Sequence, residues 1–366
     1  MLGSVKPLFY DGSGLVVSKK NRIFLLLEDG SEEFLAALPV SFYSKLLMSL
    51  RLLARVFRLE VYSSAIHGDT YYFCFEAKLY SYNKSTKKLV FEMIFERGHG
   101  PLKFSCIDGL KGFDDTVYFG DYFGNHNCNA TSIYKRRQPG QWEKCHTFQE
   151  GLINHIHGLV KDMSNHCIWI LTGDYGTSFG IYRATLNFSV VEPILIGDQK
   201  YRSCVAFPTA DGLLYATDSH LEKNSIRILK NMNGSWISEE ITKINGPVIY
   251  GTELLDYFIF ATSVEPGVKK SNFVLTLLAR DIGPGIINNQ VEIVAISKSS
   301  YEITILEVNP KDSFPARLFQ FGSACFPSNA FRSNRLATYY TATKNYEGQL
   351  RDLELNGHPE NAQYER

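Results

Sequence analysis

The 366-residue chain carries 38 basic and 38 acidic side chains, so its formal net charge is zero. That balance excludes a global field drawing the protein to nucleic acid or to an acidic membrane. An apolar fraction of 45% and a charged fraction of 21% suit a chain that buries a substantial core. The start, Met1 to Pro7, lacks a basic segment followed by a long apolar one, and the apolar runs are too short to span a bilayer. Seven dispersed cysteines without a CxxC pair read as reduced thiols, so a cytoplasmic protein is expected.

In chain order, the first distinct element is a helix over residues 41–58 (SFYSKLLMSLRLLARVFR). Leu46, Leu50, Leu53 and Phe57 form an apolar stripe, with Arg51, Arg55 and Arg58 as a basic one. Two readings stand: a helix packed on the body with its arginines in solvent, or a basic amphipathic helix touching the inner membrane surface or a partner. Nearly everything after it alternates as strand. The runs 116–122 (TVYFGDY), 167–172 (CIWILT), 212–217 (GLLYAT) and 257–262 (YFIFAT) are followed by second strands and by turns such as Pro139-Gly140 and Asn233-Gly234.

These strands end in small-plus-acidic corners: Gly68-Asp69, Gly120-Asp121, Gly173-Asp174, Thr217-Asp218-Ser219 and Thr262-Ser263-Val264-Glu265. Their spacing of about 45 to 53 residues is the span of a four-stranded propeller blade. An all-β propeller of six or seven such blades is therefore expected. It forms a single domain over residues 1–345 with the helix inserted, followed by a polar tail at 346–366.

Circular closure would bring equivalent corners to one end of one axis. His155 and His157, two apart on a strand, project from the same face and suit a transition metal, an anionic sugar or proton transfer. Arg202 can grip a carboxylate in two places, and Gln199 beside it both donates and accepts. Asp218 and Glu265 divide between bracing turns and contacting a ligand. No GxSxG elbow, P-loop, HExxH or dinucleotide fingerprint is present, and basic residues are not interleaved with aromatics for nucleic acid. The residues name no cofactor and define no metal-ligand set.

From Val117 to about Pro327 the motif order resembles a family of sialidase-like, BNR-type β-propellers associated with bacterial surface-polysaccharide gene clusters. The carrying residues include Tyr118-Phe119-Gly120-Asp121-Tyr122, Asn125, Trp142-Glu143 and His155-Ile156-His157-Gly158. They continue through Thr172-Gly173-Asp174, Gln199 with Arg202, Thr217-Asp218-Ser219 with Asn224, and Ser263-Val264-Glu265-Pro266. The resemblance implies a propeller with a sugar-related role. An Asp box is decayed here to 135–142 (KRRQPGQW), which keeps only its tryptophan. A sialidase would also need three converging arginines, for which Arg97, Arg183, Arg202 and Arg332 are candidates, and a nucleophilic tyrosine such as Tyr122.

The expected function is a glycoside hydrolase or polysaccharide lyase acting on an acidic glycan. His155, His157, Asp174 and Asp218 would be catalytic, and Asp121, Tyr122, Asn125, Gln199, Arg202, Asn224 and Glu265 substrate-binding. The opposing reading is a non-catalytic scaffold in a polysaccharide assembly, docking through Arg51, Arg55 and Arg58. Fold alone does not choose between them.

Overall fold

Buried on both faces, a strand reads as a continuous apolar run; at a rim it alternates. Cys167–Gly173 is buried along its whole length, whereas Ser235–Ile244 on an outer edge alternates with solvent. Seven sheets of this graded kind make up the computed structural model, which describes residues 4–329 and 334–355. Each sheet is a contiguous antiparallel meander: blades 1 (6–37), 2 (64–94), 3 (104–148), 4 (155–196), 5 (203–244), 6 (248–310) and 7 (323–354). Six have four strands, and blade 7 has three among the described residues.

The first strand of each blade is innermost; first strands of successive blades touch from blade 1 to blade 7, and the second strand of blade 7 meets the first strand of blade 1. Apolar clusters fill the gaps between neighbours. Phe9, Val16 and Phe73 join blades 1 and 2; Tyr118, Ile156 and Ile170 join 3 and 4; Ile259, Ile293 and Tyr340 join 6 and 7. The junction of blades 7 and 1 is fastened by polar bonds. Ser328 N–H donates to Leu8 O (2.7 Å), and Asn329 both accepts from Tyr10 N–H (2.8 Å) and donates to Tyr10 O (2.7 Å).

Two expectations shift. The single helix is two, α1 (Phe42–Leu47), capped by Ser41, and α2 (Arg51–Val56). Two members of the basic stripe face inward: Arg51 pairs with Glu60 and Glu347, and the buried Arg55 with Asp312. Arg58 is exposed, as are Leu46, Leu50 and Phe57. Arg51 and Arg55 are thus structural anchors and cannot dock on a surface. Nor does the propeller stop at 345, since Leu350–Glu354 is the outer strand of blade 7; an outermost strand is half-exposed and so looks polar in sequence. Residues 356–366 of the expected tail, and Arg332, lie outside the described residues. Two more helices, α3 (Phe273–Leu278) and α4 (Ala316–Phe319), lie in connections of blade 6 and between blades 6 and 7.

In a meander blade, the connection between blades and the turn from second to third strand fall at the same end. The corners at Asp121, Asp174, Asp218 and Glu265 follow the second strands of blades 3 to 6 and so share that end. Gly68-Asp69 does not. It is the hairpin turn between the first two strands of blade 2, at the opposite end, with Gly68 at φ +53° and Asp69 accepting from Ser85 Oγ (2.6 Å).

Candidate functional site

The corner begins with a backbone irregularity. In blade 4, His155 pairs with Gly173 and Ile156 with Thr172, but Gly158 pairs with Leu171, leaving His157 as the extra residue of a β-bulge. The innermost strands of blades 1, 5 and 6 are bulged at the same place, and in blade 5 the extra residue is Cys204. The bulge re-aims His157 across Gly173. A Cβ at Gly173 would lie 2.1 Å from His157 Cε1, so glycine is required for the imidazole to occupy that space.

Both imidazoles are buried and locked. His155 Nδ1 lies 2.7 Å from Phe123 O and His157 Nδ1 2.9 Å from Ser203 O. A carbonyl only accepts, so each Nδ1 carries the proton and each Nε2 is directed inward. The two Nε2 atoms are 3.0 Å apart. Asp174 completes the group, with Oδ1 2.9 Å from His157 Nε2 and Oδ2 3.4 Å from His155 Nε2. Asn154 holds that corner by accepting from Asp174 N–H (2.9 Å) and Tyr175 N–H (2.7 Å). The Tyr122 ring packs edgewise on His155 at 4.6 Å between centroids.

Arg202 extends the group into blade 5. Its Nη2 donates to Asp174 Oδ1 (3.0 Å) and Asp218 Oδ2 (3.2 Å), and the Cys204 thiol donates to the same Asp218 oxygen (3.2 Å). Glu265 follows from blade 6, accepting from Ser263 Oγ (3.3 Å) with Oε2 3.6 Å from His220 Nδ1. Five buried polar atoms here have no hydrogen-bond partner among the described residues: Gln199 Oε1, Arg202 Nε and Nη1, Asp218 Oδ1 and His220 Nδ1. Only Arg51 Nη2 shares that condition elsewhere, and it lies 2.7 Å from Glu347. Buried polar groups are ordinarily satisfied, so five together mark where a guest would be bound.

The electrostatics separate the carboxyls. Burial pushes against ionisation of Asp174, but Arg202 and the two imidazoles override it and hold Asp174 well below the usual range. Burial and the Asp218 charge push Glu265 up to about 8, so it is a neutral acid at pH 7. Burial, then Arg202, lowers His220 below its ordinary value, leaving it a free base. Burial raises the Tyr122 phenol and the Cys204 thiol well above theirs. Behind the corner the axis continues as a cavity of about 290 Å³, lined in part by Tyr62, Lys103, Cys204 and Tyr250.

The structure therefore gathers His155, His157, Asp174, Arg202, Asp218 and Glu265, with Tyr122 as packing and Gln199 on the turn just before Arg202. Asn125 and Asn224 are braces. Asn125 donates to Asn154 O (2.6 Å) and Asn224 to Ser219 O (2.6 Å), both closing turns. Asp121 is engaged by Ser132 N–H (3.0 Å) and Arg97 (3.3 Å), apart from the cluster. The neighbours of Asp174 favour its ionised form, and burial disfavours the Tyr122 phenolate. The sialidase arginines do not converge: Arg97 is on Asp121 and Arg183 on Glu192. In the decayed Asp box, the buried Glu92 of blade 2 takes over as brace, accepting from Gly140 N–H (2.8 Å) and Trp142 Nε1 (3.1 Å). Sequence reading missed His220, whose only signal is its place directly after the Asp218-Ser219 corner.

This is a seven-bladed β-propeller with a polar cluster at one end of its axis. No protein-family model matches the chain and no curated protein matches it, so the sialidase-like resemblance rests on the quoted motifs alone. Solved structures share the fold. A chain in the crystal structure of a mitotic checkpoint complex aligns with TM-score 0.54 and 10% identity over 96% of this chain and 90% of that one. The AfRom2 CNH domain aligns with TM-score 0.54 and 10% identity over 97% and 96%. An oligogalacturonate lyase from Vibrio parahaemolyticus aligns with TM-score 0.52 and 10% identity over 88% and 85%. At such identity they speak for the fold alone.

Proposed function

We propose that this end of the propeller is the active site of a carbohydrate-active enzyme, a lyase acting on a uronic-acid-containing glycan. The observation that carries the reading is the two unpartnered donors, Nε–H and Nη1–H, that Arg202 keeps beside a neutral Glu265. They lie on different edges of the guanidinium, and each is free to give a substrate carboxylate oxygen a charge-assisted hydrogen bond. Nη2 between them is already taken by Asp174 and Asp218. With a uronate carboxylate on Arg202, the proton on the adjacent carbon becomes acidic, and the guanidinium stabilises the charge that develops. His220 Nδ1 accepts that proton. The carbon–oxygen bond to the leaving sugar then breaks, a carbon–carbon double bond forms, and Glu265 donates its proton to the departing oxygen. Hydrolysis would require a second carboxylate acting on water, whereas Asp218 is held through Oδ2 by Arg202 and Cys204 and keeps only the buried Oδ1 free. The lyase among the fold neighbours is consistent with this chemistry on this architecture and carries no residue assignment.

The test is a panel of polyuronates followed by ultraviolet absorbance of the unsaturated product. Turnover that depends on Arg202 and Glu265 supports the reading. New reducing ends without absorbance would make the enzyme a hydrolase, and no Arg202-dependent binding or turnover across the panel would end the reading.

A second reading is favoured by a different observation. Phe42, Tyr43, Leu46 and Leu50 on and beside α1 are exposed, as are Phe273, Val274 and Leu275 on α3. Apart from the inward-facing Arg51 and Arg55, residues 41–58 carry Lys45 and Arg58 and residues 266–280 carry Lys269, Lys270 and Arg280, with no acidic side chain in either segment. That composition suits contact with an anionic lipid surface beside the site mouth. Retention on anionic vesicles, lost in a Leu46→Glu, Phe273→Glu variant, would support it; indifference to lipid would remove it. Among the described residues no helix is long and apolar enough to cross a membrane.

A further inference from the structure

Three acceptors converge at the centre of the corner, and the protein supplies them with a single donor. Each imidazole uses its Nδ1–H on a backbone carbonyl, His155 on Phe123 O and His157 on Ser203 O. Their Nε2 lone pairs consequently face one another at 3.0 Å, and the Asp174 carboxylate faces both at 2.9 and 3.4 Å. Lone pairs so placed repel unless something positive lies among them. One proton could bridge one pair, but it would leave the third acceptor unserved. Of the three acceptors, Arg202 Nη2 serves only Asp174, through Oδ1 (3.0 Å), and its remaining contact is with Asp218.

We propose that His155 Nε2, His157 Nε2 and the Asp174 carboxylate bind one divalent first-row transition-metal ion. Nitrogen and carboxylate ligands at bond lengths of about 2.0–2.2 Å stand roughly 3.3 Å apart around a tetrahedral ion, close to the spacing present here. The outer contacts are those of a metal centre as well. Histidine ligands fix their tautomer by donating the other N–H to a carbonyl, and a ligating carboxylate is itself hydrogen-bonded, here by Arg202 and the Asn154-held corner. Two imidazoles and one carboxylate leave coordination positions open, and Asp174, 18% exposed at its side chain against 4% or less for the imidazoles, marks the side from which a substrate oxygen would enter.

A second group, His157 with Cys204 and Asp218, has its ligand atoms similarly close. It is the weaker site. There both His157 nitrogens are already engaged, Nδ1 with Ser203 O and Nε2 with Asp174, and the Cys204 hydrogen is given to Asp218.

The site stands on its own geometry; only its use, polarising the uronate carboxylate beside Arg202, rests on the lyase reading. Binding is therefore measured without any glycan. The untagged full chain, prepared in chelator-free buffer, is analysed for metal content. It is then stripped and titrated with Zn²⁺, Mn²⁺ and Co²⁺, with folding followed by circular dichroism. The expected result is about one ion per chain, a melting temperature raised by metal and lowered by chelator, and binding at least about tenfold weaker in His155→Ala, His157→Gln and Asp174→Asn. Cys204→Ser should bind as the parent does, and the Co²⁺ form should lack a thiolate charge-transfer band. No stoichiometric binding of any of the three ions by the folded parent protein would overturn the proposal. So would binding that survives all three ligand variants, or that is lost in Cys204→Ser. If a variant fails to fold, the parent's metal content and the Co²⁺ spectrum still decide.

Discussion

Arg55 on α2 and Arg202 at the entry to blade 5 are both almost wholly buried, at 2% and 4% exposure, in inter-blade connections at the same end of the propeller. Their surroundings differ. Arg55 donates from all three nitrogens, with Nε and Nη2 on Phe319 O and Nη1 on Asp312 Oδ2 (2.7 Å). It bolts α2 to α4 and offers nothing further. Arg202 donates only from Nη2 and leaves two nitrogens unpartnered, next to a carboxyl held neutral and an imidazole held basic. A fold gains nothing from leaving such donors bare, because each unsatisfied buried group costs about 1–3 kcal/mol. One arginine belongs to the architecture, and the other faces a guest.

Substitution should separate the two, and the largest effect is expected at the second. Arg202→Lys keeps a charge between Asp174 and Asp218 but removes the free Nε and Nη1 donors. Uronate turnover should fall by at least about 100-fold, with a smaller melting shift than in Arg55→Ala. Arg55→Ala should cost about 3 kcal/mol, because Asp312 and the Phe319 carbonyl lose their partner. Its melting temperature should drop by several degrees while turnover of the folded fraction stays at the parent level. If both arginines behaved alike, by stability or by activity, the distinction would fail. Gly173→Ala belongs with the first kind. The added methyl occupies the space of the His157 ring, so the corner should lose metal and glycan binding together while the blade persists.

Glu265 gives the comparison a pH axis. Its folded value is raised to about 8 from 4.5, so between those values the folded protein holds a proton that the unfolded chain has released. Stability therefore falls as pH rises through that window, with a slope approaching about 1.4 kcal/mol per pH unit. Glu265→Gln should flatten the slope in denaturant titrations at pH 5 to 8, about the range the linkage spans. Turnover in the parent should decline above pH about 8, as the donor loses its proton. It should also decline in acid, as His220 becomes protonated. A slope unchanged by Glu265→Gln would show that its carboxyl is not held neutral.

Much of this was legible in the sequence, and the exceptions have physical causes. Corner spacing gave the blades because each meander repeats one length of chain. It misplaced Gly68-Asp69 because a hairpin turn and a second-strand corner use the same residue types for different backbone reasons. His155 and His157 were found as neighbours two apart on a strand. Their convergence to 3.0 Å depends on a bulge in blade 4 that no residue type announces, and the corresponding bulge in blade 5 brings Cys204 to Asp218. The helix was found but Arg51 and Arg55 were turned the wrong way, since they meet Glu60, Asp312 and Glu347 from other parts of the chain. Asn125 and Asn224 looked like ligand groups because an amide that closes a turn and one that grips a sugar are the same group.

The smallest effect is expected at the blade 3 corner, and it sets the boundary of the site. Arg97 is 43% exposed at its side chain, 3.3 Å from Asp121 and over the Phe123 ring at 4.0 Å. An exposed pair of this kind contributes about 0.2–1 kcal/mol. The Phe123 carbonyl beneath it receives His155 Nδ1–H, so Arg97 touches the site only through the ring and backbone of one residue. Arg97→Ala should therefore leave turnover within about threefold and stability within about 1 kcal/mol. A loss of tenfold or more without unfolding would mean that Asp121 and Arg97 contact the glycan. The polar end would then extend over four blades instead of three, and Arg202 would share the grip on its substrate.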